Sequence, residues 1–311
     1  MKKLLSTIVL AATLVGTMTA AKPAEAASTY AQTKYPIVLV HGWLGWDAIA
    51  GVDYFYKIPG DLRNNGAKVY VAYVSGNNST ELRGEQLLQQ VQQILAVSGA
   101  KKVNLIGHSH GSPTSRYVAG VRPDLVASVT SVGGVNKGSD VADAVSKLDP
   151  NSTLGMAAIG AVNTIGKVIS AASGHPELAQ DALGTLTSLS SAGALAFNAK
   201  FPAGIPTTAC GEGAYAVNGI QFYSWSGGQA TSNLADPIDY AFSVTNLLFN
   251  GKKNDGLVST CSSHLGKVIR DDYAYNHMDE VNQFFGLTNV FGPDPIALFR
   301  AHANRLKNAG L

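Results

Sequence analysis

The chain has 311 residues, of which 46% are hydrophobic and 14% charged, against about 25% charged in an average soluble protein. Its formal net charge of +2 belongs to the first 26 residues, which hold three of the 23 basic and one of the 21 acidic side chains, so the remainder is formally neutral. No stripe of Lys and Arg is left to neutralise phosphates, which argues against nucleic-acid binding, and the low charge density points to a surface less polar than usual.

Residues 1–26 read as a secretory signal peptide. Lys2 and Lys3 precede an apolar run from Leu4 to Gly16, and Ala24-Glu25-Ala26 supplies a small-residue cleavage site. The run is shorter than the roughly 20 residues that span a bilayer, so a cleaved leader is expected instead of an anchor. Residues 27–311 suffice for one large core, and no internal repeat or long linker divides them; a single domain is expected, with an insertion around 150–175.

Ile37-Val38-Leu39-Val40 and Val69 to Val74 are continuous apolar runs and read as buried strands. Leu87, Leu88, Val91, Ile94 and Leu95 follow helical spacing between Glu85 and Val97, and Ser98-Gly99 stops that helix. A strand from Lys102 to Ile106, a helix from Ser112 to about Val121 and a strand from Leu125 to Val132 come next. Strands and helices alternating at this rhythm predict an α/β fold, a mostly parallel sheet with helices on both faces. From Ser152 to Ser173 the rhythm breaks into an apolar helix with one charge, Lys167, which reads equally as a core helix or as a mobile lid over an apolar cleft. Strands return at Gln221–Trp225 and Lys267–Arg270. Pro295 to Asn308 then forms a packed terminal helix with Ile296, Phe299, Ala303 and Leu306 on one face.

Between the third strand and its helix stands Gly107-His108-Ser109-His110-Gly111, a G-x-S-x-G in the strand–turn–helix context of a nucleophile elbow. The turn is so tight that positions two residues either side of the serine exclude side chains. Ser109 is the expected nucleophile. A serine needs a base, and the base an acid to fix its tautomer. His277 is preferred over His264 because it lies on a loop just after a strand, whereas His264 sits close to Cys261. His302, inside the terminal helix, is expected at a surface or capped position. Asp255, Asp236 and Asp239 compete for the acid. The oxyanion needs two backbone donors: His110, after the nucleophile, supplies one, and Trp43, in the His41-Gly42-Trp43-Leu44-Gly45 loop after the first strand, suits the other. Cys210 and Cys261 lie in the exported part, where an oxidising compartment allows them to pair.

Tyr35 to Gly42, Arg83-Gly84-Glu85-Gln86-Leu87, Val103 to Gly111 and Asn276 to Asn282 together resemble the Pseudomonas-type secreted triacylglycerol lipases, a likeness that runs from about Ser28 to Leu311. The resemblance implies an α/β-hydrolase fold with an apolar helical lid. It implies Ser109, Asp255 and His277 as the triad, the backbone N–H groups of Trp43 and His110 as oxyanion donors, and a Cys210–Cys261 disulfide. It also implies a structural calcium held by the side chains of Asp236 and Asp279 and the carbonyls of Gln283 and Leu287, tying the His277 loop in place. Expected partners are acylglycerols at a lipid–water interface, a lipase-specific folding chaperone and a secretion apparatus. Trp43 stands where such lipases often carry a smaller residue, Ser112 follows the elbow in place of glycine, and Val135-Asn136 replaces a Pro-His pair. These departures bear on chain-length preference more than on the reaction. A carboxylesterase or polyester depolymerase using the same triad, without a lipid-surface preference, is the alternative.

Overall fold

A computed structural model describes residues 28–311, so the expected signal peptide lies outside the described residues. The strands are β1 (Ile37–Val40), the short pair β2 (Ala48–Ile49) and β3 (Val52–Asp53), β4 (Val69–Val71), β5 (Val103–His108), β6 (Val126–Val132), β7 (Ala216–Val217), β8 (Ile220–Gly227) and β9 (Lys267–Tyr273). β2 and β3 form a separate hairpin. The others make one sheet in the order β4-β1-β5-β6-β8-β7, with β9 also on β8. Every neighbouring pair in it is parallel except β7 with β8.

The helices are α1 (Ile58–Asn64), α2 (Thr80–Ser98), α3 (Gly111–Val121), α4 (Asp140–Val145), α5 (Thr153–Ala172), α6 (Ala182–Leu189), α7 (Ser191–Lys200), α8 (Pro237–Thr245), α9 (Thr260–Ser263) and α10 (Pro295–Asn308). β1, β5 and β6 are buried along their whole length, as strands covered on both faces must be. The period of two divides β1 between two cores. Ile37 and Leu39 join Phe55, Leu62 and Phe299 on the α1–α10 side, while Val38 and Val40 join Leu87, Val91 and Val118 on the α2–α3 side.

Two of the element boundaries that differ from expectation have identifiable reasons. α2 begins at Thr80, five residues early, because Ser79 caps it by accepting from Leu82 N–H, and its first turn buries Thr80 and Arg83, polar residues that apolar periodicity overlooks. β4 ends at Val71, three residues early, because the chain then takes side-chain partners: Tyr73 N–H donates to Gln90 Oε1, and Ser75 N–H to Gln86 Oε1. His302 also corrects the reading. It is fully buried, bonded to Thr130 Oγ1 through Nε2 and to Arg305 through Nδ1, with Trp225 and Tyr223 against its ring.

The apolar helix α5 is not a core helix. Its inward positions are the small residues Gly155, Gly166 and Ser170, whereas Leu154, Met156, Ile165 and Val168 face solvent.

Candidate active site

Ser109 sits between β5 and α3 with φ +56, a left-handed conformation that side chains rarely adopt. Ser109 N–H donates to Val132 O at 2.9 Å, which pins the turn to β6. The flanking glycines are obligatory: a Cβ on Gly107 would lie 2.2 Å from Gly111 O, and one on Gly111 would lie 2.1 Å from Val40 O. The strained serine is thus imposed by its neighbours.

His277 Nδ1 donates to Asp255 Oδ2 at 2.7 Å, and His277 N–H donates to Asp255 O at 2.8 Å. Asp255 is held in turn, since its Oδ1 accepts from Leu257 N–H at 2.9 Å and Val258 N–H at 2.7 Å. That leaves His277 Nε2 buried with no partner among the described residues. A neutral imidazole with Nδ1–H committed to a carboxylate carries its lone pair on Nε2, the arrangement of a general base. The rivals are occupied elsewhere. Asp236 caps α8, Asp239 accepts from Ser232 and Asn233 N–H, and His264 bonds to Gly211 O and Asp271.

Trp43 N–H and His110 N–H donate to no other group among the described residues, as two oxyanion donors require. Arg83 holds the Trp43 loop in place. It is wholly buried, donates to His41 O at 2.6 Å, to Thr114 Oγ1 at 3.2 Å and to Ser75 O, and so ties loop, α2 and α3 together. Burial pulls the Arg83 guanidinium down to about 9 and His41 down to about 3, so His41 is neutral at pH 7.

Behind Asp255 lies a group that sequence reading missed. Glu280 is buried, with Oε1 accepting from Gly227 N–H and Oε2 3.3 Å from His108 Nε2. Burial first, then the Asp255 carboxylate, push it well above the usual carboxylate range. His108 bonds through Nε2 to His277 O at 2.9 Å and through Nδ1 to Tyr54 OH at 2.7 Å; burial holds it neutral. No spacing in the sequence links Tyr54, His108 and Glu280. His108, His277 and Glu280 lie within 4.8 Å of one another, but a metal there would take the Nε2 lone pair that the base needs.

Above Ser109 is an apolar cavity of about 290 Å³, lined by Trp43, Val258, Leu186 and, from α5, Ile159 and Val162. α5 is fastened across it by polar side chains: Trp43 Nε1 donates to Asn77 Oδ1 at 3.0 Å, and Asn77 Nδ2 to Asn163 Oδ1 at 2.9 Å. Asn163 Oδ1 also accepts from Ala182 N–H at 2.8 Å.

Asn276, just before His277, gathers three carboxylates. Its Nδ2 donates to Asp239 Oδ1 at 2.8 Å and reaches Asp236 Oδ2 at 3.4 Å, and its N–H donates to Asp279 Oδ2 at 2.9 Å. Asp279 Oδ1 is buried without a partner, and burial, with Asp236 and Asp239 nearby, pushes its carboxyl up to about 7. An orphaned buried carboxylate oxygen among further acids fits a hard cation with oxygen ligands. Cys210 and Cys261 form a disulfide.

The family profile described as alpha/beta hydrolase fold matches residues 35–281. A triacylglycerol lipase of Vibrio cholerae serotype O1 is 58% identical over 283 residues, covering 91% of this chain and 90% of the relative. A triacylglycerol lipase of Pseudomonas fragi is 43% identical over 288 residues, covering 90% and 98%. Among solved structures, the mature Bacillus licheniformis lipase BlEst2 superposes with a TM-score of 0.60 at 15% identity over 88% of this chain and 93% of that one, a likeness of fold.

Proposed function

This chain belongs to the α/β-hydrolase family, among its triacylglycerol lipases, and on that premise we propose that it cleaves acylglycerol esters at Ser109 through an acyl-enzyme. Ser109 Oγ attacks the acyl carbonyl while His277 Nε2 takes its proton. The same imidazolium returns that proton to the departing alkoxide. Water, deprotonated by His277, then releases the fatty acid and restores the serine. Asp255 orients the imidazole, and the Trp43 and His110 N–H groups receive the oxyanion. The observation that carries this reading is the buried His277 Nε2, left without a partner by an imidazole already committed to Asp255.

The substrate class follows from the cavity. Its walls are apolar, and the helix across it turns large apolar side chains outward, where a lipid surface would receive them. The reading is therefore of a lipase activated at an interface. Calcium, held by Asp236 and Asp279 with the carbonyls of Gln283 and Leu287, would supply fixed positive charge that anchors the Asn276–His277 loop. An exported enzyme, made with a folding chaperone and released by a secretion apparatus, belongs to the same reading and is supported by the disulfide.

Rates on emulsified triolein and dissolved tributyrin test the proposal. The wild type is expected to favour the emulsion, and Ser109→Ala to lower both rates by about 10³-fold or more with thermal unfolding unchanged. Retained activity in the serine variant would sink the mechanism. Activity confined to short dissolved esters would replace the lipase by a carboxylesterase.

A further inference from the structure

α8 and the short 3₁₀ helix Asn246–Phe249 that continues it turn a second apolar face outward. Tyr240, Val244 and Leu247 follow one another at helical spacing, a single stripe, and are 67%, 65% and 75% exposed. Between Pro237 and Gly251 the only charged residue is Asp239, and it is buried. The other side of the segment is fixed to the loop that carries Asp255. Phe242 lies so close to Gly256 that a Cβ there would stand 2.6 Å from its ring. Thr245 Oγ1 donates to Gly256 O at 2.5 Å, and Asn254 Nδ2 donates to Asn246 Oδ1 at 2.8 Å. Leu257 and Val258, next along that loop, line the cavity over Ser109. A second route leads to the same cavity. Lys252, just past the 3₁₀ helix, pairs with Asp140 of α4 at 2.7 Å, and Val145 of α4 both lines the cavity and is exposed. The outward stripe is thus carried by the walls of the substrate cavity.

We propose that Tyr240, Val244 and Leu247 dock onto the lipid phase that holds the substrate, a foothold separate from α5. Contiguous exposed apolar side chains rimmed by polar ones mark an interaction surface, and a helix lying in a lipid interface sinks such a stripe into the acyl boundary. The occupant is a lipid surface without net charge. The stripe offers no charge of its own, and the two cations that follow it, Lys252 and Lys253, face Asp140 and Asp272. Attachment of the stripe to the cavity walls brings the cavity to the surface on which the stripe lands. The proposal rests on the lipase reading, which puts the substrate in a lipid phase.

The test follows sedimentation of Ser109→Ala protein with dioleoylphosphatidylcholine vesicles. Val244→Ser combined with Leu247→Ser is expected to weaken partition about ten- to hundredfold. Both side chains are exposed, so the unfolding temperature is expected to stay at its starting value. Partition is expected to be equal on vesicles containing dioleoylphosphatidylglycerol and indifferent to salt, as apolar insertion requires. With Ser109 restored, the double variant is expected to keep the wild-type rate on dissolved tributyrin and to lose rate on emulsified triolein. No partition by the parent protein, unchanged partition by the double variant, or binding that needs anionic lipid and fades with salt overturns the proposal. So does a lipid-free dimer that the double variant takes apart, because the stripe would then belong to a second copy of the chain. Partition is read on protein without its nucleophile and ester cleavage on protein that has it, so the two readings fail independently.

Discussion

At the residue scale, the chemistry depends on which atoms are already committed. Asp255 Oδ2 fixes the His277 tautomer, and an amide at that position would offer an N–H where the imidazole needs an acceptor. Asp255→Asn is therefore expected to lower kcat by about 10³- to 10⁴-fold with little change in KM. Steady-state kinetics on a chromogenic ester checks this, and a loss below tenfold would show that Asp255 does not orient the base. His302 exemplifies the opposite commitment, an imidazole kept neutral by burial at well below its usual pKa. Its unfolded form takes up a proton as pH falls below about 6.5 while the folded form does not, so its contribution to stability is present above that pH and is lost below it. The loss amounts to about 1.4 kcal/mol per pH unit. His302→Gln is expected to remove one proton's worth of slope from the urea-unfolding free energy between pH 7.5 and 5. Parallel curves for variant and wild type would mean that His302 titrates alike in both states.

At the scale of elements, α5 is held over the cleft by hydrogen bonds and not by a packed apolar face, since only Gly155, Gly166 and Ser170 are buried. Asn163 carries two of those bonds, to Asn77 and to Ala182 N–H. Net hydrogen bonds contribute about 0.5–1.5 kcal/mol each, so Asn163→Ala is expected to raise the rate on dissolved tributyrin several-fold while leaving emulsified triolein nearly unchanged. A smaller difference between the two substrates would be the signature of a loosened lid; an unaltered ratio would mean that Asn163 is not what holds α5 closed. The sequence showed α5 as an apolar helix with equal claims to core and lid. Only its placement removed the core reading, because periodicity identifies an apolar stripe without saying whether protein or solvent lies against it.

At the scale of the whole molecule, the residues proposed as base, acid and cation ligands come from segments that the fold alone brings together. Asp236 begins α8, Asp255 follows it, and Asn276 to Asp279 follow β9. Chelation with EGTA is expected to lower the unfolding temperature by several degrees and activity with it, and Asp279→Ala to make both insensitive to chelator. A wild type indifferent to prolonged chelation at raised temperature would leave Asp279 without a cation. The parallel sheet, the elbow at Ser109 and the terminal helix were legible because each rests on local pattern: buried runs of β-branched residues, glycines where no Cβ fits, and a stripe repeating every three or four positions. The pairing of His277 with Asp255 and not Asp236 or Asp239, the buried Glu280 behind it, and the buried His302 were not. Each is set by burial and by partners up to 172 positions away in the chain, and a single sequence records the identity of a titratable group but not what surrounds it.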